Sequence, residues 1–220
     1  RLEGRPADQF GPARSEPLRG RLRRRWARQG WGHRADDVLE WLADVVSRPL
    51  PPLGVALVGI EQRLPEMEFW FPSEALPTAE VDRLCQAHLL HGAPRPALPE
   101  RELRGLLMGF ADLVFFHGGR YWVLDYKSNA LGPRDGDYTA AALQASMAEH
   151  RYDVQAALYM LALHRLLAVR LGESYDPGLH LGGAVYLYLR GVHGPAGGCC
   201  HVPADPVFLD ALDAAFGSPR

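Results

Sequence analysis

Apolar positions recur with two different periods along the chain. From Ala35 to Ser47 (ADDVLEWLADVVS), Val38, Leu39, Trp41, Leu42, Val45 and Val46 fall on one broad stripe of helical spacing. Asp36 and Asp37 suit a helix start, and Pro49, Pro51 and Pro52 stop it. The period shortens to two over Arg63 to Phe71 (RLPEMEFWF), which predicts a strand with Glu66, Glu68 and Trp70 on one face and Met67 and Phe69 on the other. Thr78 to Leu90 reads as a short helix capped by Thr78, and Gly92 to Pro99 (GAPRPALP) as a linker. Beyond residue 127, one amphipathic helix is predicted from Asp137 or Tyr138 to about His150, and a second from Arg151 to Leu171. A further strand is expected at His180 to Val192, then a loop at Gly194 to Gly198. Asp205-Pro206 opens a last helix that runs to about Phe216, with proline at the permitted first position. Residues 1–34 read as a polar, Arg-rich and irregular segment whose arginines around Leu22 and Trp26 form a solvated helix face more than a grip for phosphates, and no internal repeat is present.

Between these elements lies LLMGFADLVFFHGGRYWVLDYK, Leu106 to Lys127. Two apolar runs flank Gly118-Gly119, a strong signal for a two-residue hairpin turn. Such a turn sets Phe116 opposite Tyr121, Val114 opposite Val123 and Asp112 opposite Asp125. Alternation then brings Asp112, Asp125 and Lys127 to one face, with opposed Cβ atoms roughly 4.5–5.5 Å apart. Two carboxylates this close, among Leu, Val, Phe, Tyr and Trp, repel each other and lose hydration. Either one takes up a proton or a cation lies between them. An oxygen-only donor set suits a hard ion such as magnesium, manganese or calcium. Lys127 is the only lysine of the chain; every other basic side chain apart from histidine is arginine.

Composition narrows the class. The 220 residues, 47% hydrophobic with a formal charge of −2, describe one globular domain whose DNA contacts, if any, come from local basic surface. Three cysteines, two of them adjacent at Cys199 and Cys200, point to a reducing cytoplasm and fall short of the four that a Cys-ligated iron–sulfur cluster needs. No run reaches the roughly 18 apolar residues of a membrane span, so no membrane partner is expected. No Walker-type glycine loop occurs in the chain.

In order along the chain, GFADLVF, YWVLDYKSN, HRYDVQAALYMLALHR and GGAVYLYLRGV resemble the C-terminal nuclease domain of RecB-type subunits of bacterial exonuclease V, members of the PD-(D/E)xK superfamily. The resemblance runs from about residue 55 to the C-terminus. It implies an α/β, restriction-endonuclease-like core with a mixed central sheet flanked by helices, occupying residues 35–220 after the segment 1–34. It implies a magnesium-dependent deoxyribonuclease of double-strand break repair and recombination, with Mn²⁺ or Ca²⁺ able to take the place of Mg²⁺. The side chains of Asp112, Asp125 and Glu68 and the backbone carbonyl of Tyr126 are the implied metal ligands, Glu68 being preferred to Glu66. Asp125 and Lys127 are the implied catalytic groups, with Lys127 acting on the attacking water or on the transition state. Gln155 and Tyr159, four apart on one helix face, are implied to line the cleft. The implied partners are DNA and, through a longer protein, RecC- and RecD-like subunits. The resemblance also implies a metal-ligating histidine on a helix upstream of the EMEF segment. Nothing in residues 1–34 matches it, His33 standing too near the next helix. The chain is therefore read as a fragment of something longer that binds metal weakly and cuts poorly. A catalytically silent DNA- or partner-docking module is the alternative, and a metal-free domain with a buried ion pair is the third reading.

Overall fold

Leu22 and Trp26, four residues apart, give the arginine-rich stretch one apolar side, and residues Glu16–Arg28 form helix α1. The computed structural model describes residues 16–217, so the first half of the Arg-rich segment lies outside the described residues. From residue 16 onward the expectation of an irregular segment is corrected. Arginine is a good helix former, and α1 packs beside α2 (Ala35–Ser47), where Arg23 pairs with Asp36 at 2.6 Å. Helix α2 has the boundaries its apolar stripe predicts.

A small ladder of β1 (Pro49–Leu50) and β2 (Val55–Ala56) leads into the main sheet. That sheet holds β3 (Gln62–Pro77), β4 (Glu102–His117), β5 (Arg120–Lys127), β6 (Leu181–Tyr188) and β7 (Cys199–Pro203), side by side in that order. All neighbours are antiparallel except β5 and β6, which run parallel. The sheet is therefore mixed, as expected, and the parallel pair needs a crossover. Helices α4 (Ala140–Glu149), α5 (Tyr152–Leu171) and the short α6 (Pro177–His180) supply it. Helices α4 and α5, with α3 (Thr78–His88) and α7 (Pro206–Phe216), cover one face of the sheet over Val114, Val123, Tyr186 and Val202. The other face is covered by Val45 of α2 and by Leu50, Leu57 and Ile60, packed on Leu113, Phe115, Leu124 and Val185.

Several expectations are met and some are corrected. The turn at Gly118-Gly119 forms, and Phe116 faces Tyr121 as Val114 faces Val123. Asp205 caps α7 by accepting from the Val207 and Phe208 amides at 3.0 and 3.3 Å. Thr78 does not cap α3: its hydroxyl donates to the Pro99 carbonyl at 2.7 Å and ties the linker to the helix. Strands β3 and β4 run well past the expected limits, and β7 forms where no strand pattern was visible. One helical stretch, Tyr152–Ser174, is long and apolar enough by length and composition to cross a membrane, contrary to the expectation of no such run. Half of it is buried inside this domain, where Ala156, Met160, Leu163 and Leu167 build the core.

One local feature sets the site apart. Pro65 pairs with Leu113 and Met67 with Ala111, so Glu66 and Asp112 lie across from each other between two regular pairs. Glu66 has φ 51°, in the left-handed region that a β-strand does not use. The side-chain alternation breaks there on both strands. Leu64 and Met67, three apart, both pack on the α5 side, and so do Val114 and Ala111. Beyond this break β3 and β4 continue as a two-stranded ribbon past the end of β5, with Trp70, Leu106, Met108 and Phe110 about half exposed.

Candidate active site

Strand β5 is flanked on both sides, so its last residues lie between the ribbon and β6. Asp125 pairs with Tyr186 of β6 and is 4% exposed. Its Oδ1 accepts from Tyr159 Oη at 3.3 Å and from Gln155 Nε2 at 3.2 Å. Its Oδ2 lies 2.7 Å from Lys127 Nζ. The ammonium is the partner of this buried oxygen, which no other donor among the described residues reaches.

Gln155 closes the cluster. Its Oε1 accepts from Lys127 Nζ at 2.8 Å, and its Nε2 reaches the Tyr159 hydroxyl at 2.6 Å. The amide is thereby oriented with oxygen to the ammonium and nitrogen to the acid. Gln155 and Tyr159 stand one turn apart on α5, whose Ala156, Ala157 and Met160 are buried. That burial fixes which way the polar pair points.

Asp112 joins from β4. The β4–β5 ladder ends at Leu113–Leu124, and in the next position the Asp112 side chain accepts from the Tyr126 amide at 2.9 Å. The carboxylate thus takes the place of a ladder carbonyl, and its charge acts on Asp125. Burial pushes the Asp125 carboxyl above the usual carboxylate range and Asp112 adds to this. The Lys127 ammonium and the Tyr159 hydroxyl oppose the shift without cancelling it. Tyr159 is raised above an ordinary phenol by burial and then by the charge of Asp125, so it acts as a hydroxyl donor. The Tyr126 ring lies on the opposite face among Leu113 and Phe115, its phenol pushed up to about 12 by burial.

The structure thus brings together Asp112, Asp125, Tyr126, Lys127, Gln155 and Tyr159. It does not bring Glu68 to them. Glu68 pairs with Phe110, while its neighbours Met67 and Phe69 turn toward α5 and the Phe69 ring meets Tyr159 at 5.8 Å. The acid of β3 that stands across from Asp112 is Glu66, through the break in alternation. Sequence reasoning also missed Tyr186, because a parallel register across a long crossover leaves no local signal.

The donors suit a hard cation: two carboxylates come from neighbouring strands, and one of them is buried. Among the described residues no group of three or more His, Cys, Asp or Glu side chains stands in metal-ligating geometry.

Comparison with known proteins places the chain in a family. A sequence model described as the PD-(D/E)XK nuclease superfamily matches residues 7–199. The chain is 47% identical over 156 residues to the RecBCD enzyme subunit RecB of Escherichia coli (strain K12), covering 70% of this chain and 13% of that protein. To the same-named subunit of Haemophilus influenzae it is 33% identical over 186 residues, covering 82% and 15%. To that of Mycobacterium tuberculosis (strain ATCC 25618 / H37Rv) it is 35% identical over 185 residues, covering 74% and 17%. The chain thus spans less than a fifth of the length of these relatives.

Proposed function

Since this chain belongs to the PD-(D/E)XK nuclease superfamily, we propose that it hydrolyses DNA phosphodiester bonds with a divalent cation, magnesium by default, as the nuclease part of a RecB-type subunit in double-strand break repair. One observation carries the reading. A buried carboxylate, a lysine, a glutamine and a tyrosine form a closed cluster at the end of β5, with Asp112 of the neighbouring strand beside it. The Asp112 and Asp125 side chains and the Tyr126 carbonyl would hold the cation. When bound it would lower the pKa of water and neutralise charge on the phosphate. Lys127 provides a second positive charge beside Asp125, placed to stabilise negative charge developing on phosphate oxygens. Gln155 holds that ammonium in place, and Tyr159 fixes the rotamer of Asp125. We place the acid contributed by β3 at Glu66, on the grounds of its position across from Asp112.

The partners of the longer relatives, RecC- and RecD-like subunits, are proposed for this chain on the strength of similarity to RecB. Three free cysteines support a reducing, cytoplasmic setting.

The test is cleavage of linear DNA with magnesium, comparing the parent chain with Lys127→Ala and Asp125→Ala. The parent cuts, and each variant loses at least ~100-fold, the scale of a positioned acid–base or electrostatic group. Equal cutting by all three contradicts the assignment. DNA or partner binding by the parent without any cleavage favours the docking module.

A further inference from the structure

Lys127 touches more than its polar partners. Its Nζ lies 3.8 Å from the centroid of the Tyr152 ring and 5.2 Å from that of Tyr186. The two rings stack at 5.9 Å with an interplanar angle of 16°. Tyr152 is the first residue of α5, and three contacts fix it. Its hydroxyl donates to Asn129 Oδ1 at 3.2 Å, its carbonyl accepts from the Tyr186 hydroxyl at 3.1 Å, and the His150 ring stacks parallel to it at 5.3 Å. Tyr186 is itself fully buried. An ammonium within about 6 Å of an aromatic centroid is attracted by the negative face of the ring, more so where water is excluded.

We propose that Tyr152, backed by Tyr186, is a positioning residue that seats the Lys127 ammonium independently of Asp125. The need for such a seat follows from the competing demands on Asp125. Among the described residues its carboxylate is the ammonium's one anionic contact, at 2.7 Å, and it is also a proposed ligand of the cation. A carboxylate shared with a divalent ion attracts an ammonium less, and the two positive charges repel. Without another anchor a flexible lysine swings away into water. The ring face and the Gln155 carbonyl are neutral acceptors that a cation on Asp125 leaves free. Together they keep the ammonium at the end of β5 while Asp125 changes partner. The functional half of this inference rests on the nuclease reading; the seat itself rests on geometry alone.

A single lysine makes the seat directly observable. In a chain labelled with ¹³C,¹⁵N-lysine, the Lys127 side chain gives one set of signals, shifted upfield by the Tyr152 ring current relative to free lysine. The seat predicts that this shift persists when magnesium is added, is kept in Tyr152→Phe, and collapses in Tyr152→Leu. A free-lysine shift in the folded parent, or an upfield shift unchanged in Tyr152→Leu, overturns it. The second readout is cleavage by chains with phenylalanine at 152 carrying successively more ring fluorines, which weaken the negative face at nearly constant shape. The expected result is a stepwise fall in kcat, with KM for DNA and the melting temperature unchanged, reaching roughly tenfold at full fluorination. A flat series in a chain that cuts DNA overturns the positioning role. Absence of cleavage in the parent defeats the nuclease reading instead, and the lysine signals still decide the seat.

Discussion

At the scale of single residues, the site is a competition for Asp125. Burial favours its neutral form, whereas Lys127, Gln155 and Tyr159 all favour the anion. Among the described residues Glu66 is the one non-glycine strand residue with a left-handed backbone, and a conformation costing of order 1–3 kcal/mol is kept only where its surroundings enforce it. Removing the charge of each glutamate separately checks which acid belongs to the site. Glu66→Gln is expected to lower cleavage at least tenfold, and Glu68→Gln to leave it within about twofold; the reverse order restores Glu68. Asp112, Asp125 and Lys127 were legible beforehand because a two-residue turn fixes register, and register fixes faces. Gln155 and Tyr159 had the spacing of neighbours on a helix, though only resemblance raised them above surface polarity. The choice between Glu66 and Glu68 was not legible, since strict alternation puts both on one face. The left-handed residue that breaks the alternation carries no glycine or asparagine to announce it.

At the scale of elements, the placement of Asp125 depends on how closely β6 approaches β5. Gly182 allows that approach, and Gly183 lets β7 lie as close on the other side of β6. The Trp122 ring lies over Gly182, where a Cβ would come within 2.2 Å of it, and a Cβ on Gly183 would meet the Val202 carbonyl oxygen at 2.2 Å. Gly183 also has φ 116°, which an L side chain rarely adopts. Its obstacle is backbone, which cannot rotate aside as a side chain does. Gly183→Ala is therefore expected to destabilise the fold by at least about 2 kcal/mol in urea unfolding, through crowding and strain together. A loss under about 0.5 kcal/mol would mean that β6 and β7 separate readily. The helices and the hairpin were readable from periodicity and turn chemistry. Strand β7 was not: Cys-Cys-His-Val-Pro is five residues long, ends in proline and has one buried member, so pairing with β6 decides its state. Thr78 looked like a cap by residue type, but its hydroxyl found a tertiary partner in the linker.

At the scale of the whole molecule, a buried ionic network locks the linker and α3 onto the start of α5. Arg95 and Asp153 pair at 2.8 Å with both side chains fully inaccessible. Arg151, left-handed at φ 54°, bridges Asp153 at 3.1 Å and Asp82 at 2.6 Å. The first turn of α5, which carries Tyr152 and Gln155, is therefore held from a separate part of the chain. Arg95→Ala leaves Asp153 buried with Arg151 as its remaining cation, so it is expected to cost about 1–3 kcal/mol in denaturant unfolding, less than a charge left buried alone. A cost below 1 kcal/mol would mean that water reaches Asp153.

The network also sets a pH dependence. Desolvation tends to raise the Asp82 carboxyl, but hydrogen bonds from Gln86, the Leu98 amide and Arg151 outweigh it and hold the group below its ordinary value of 3.8. As pH falls below that value, the unfolded chain takes up the proton first. The stabilisation from Asp82 is then fully present above its unfolded pKa and lost as pH falls through the lower folded one. Urea unfolding at pH 6 and pH 3 should show a smaller acid loss in Asp82→Asn than in the parent; equal losses remove Asp82 as a contributor. None of this network was legible in the sequence, because its four members come from α3, the linker and the start of α5, and only the fold brings them together.

The central claim is that neighbouring strands each deliver an acid to one cation, with the only lysine of the chain beside it. Diffraction from crystals of this chain grown with manganese, recorded at the manganese absorption edge, tests it most directly. The account predicts an anomalous peak bonded to oxygens of both Asp112 and Asp125, which disappears in Asp125→Asn. A peak elsewhere, or none at these two acids at saturating manganese, would contradict it.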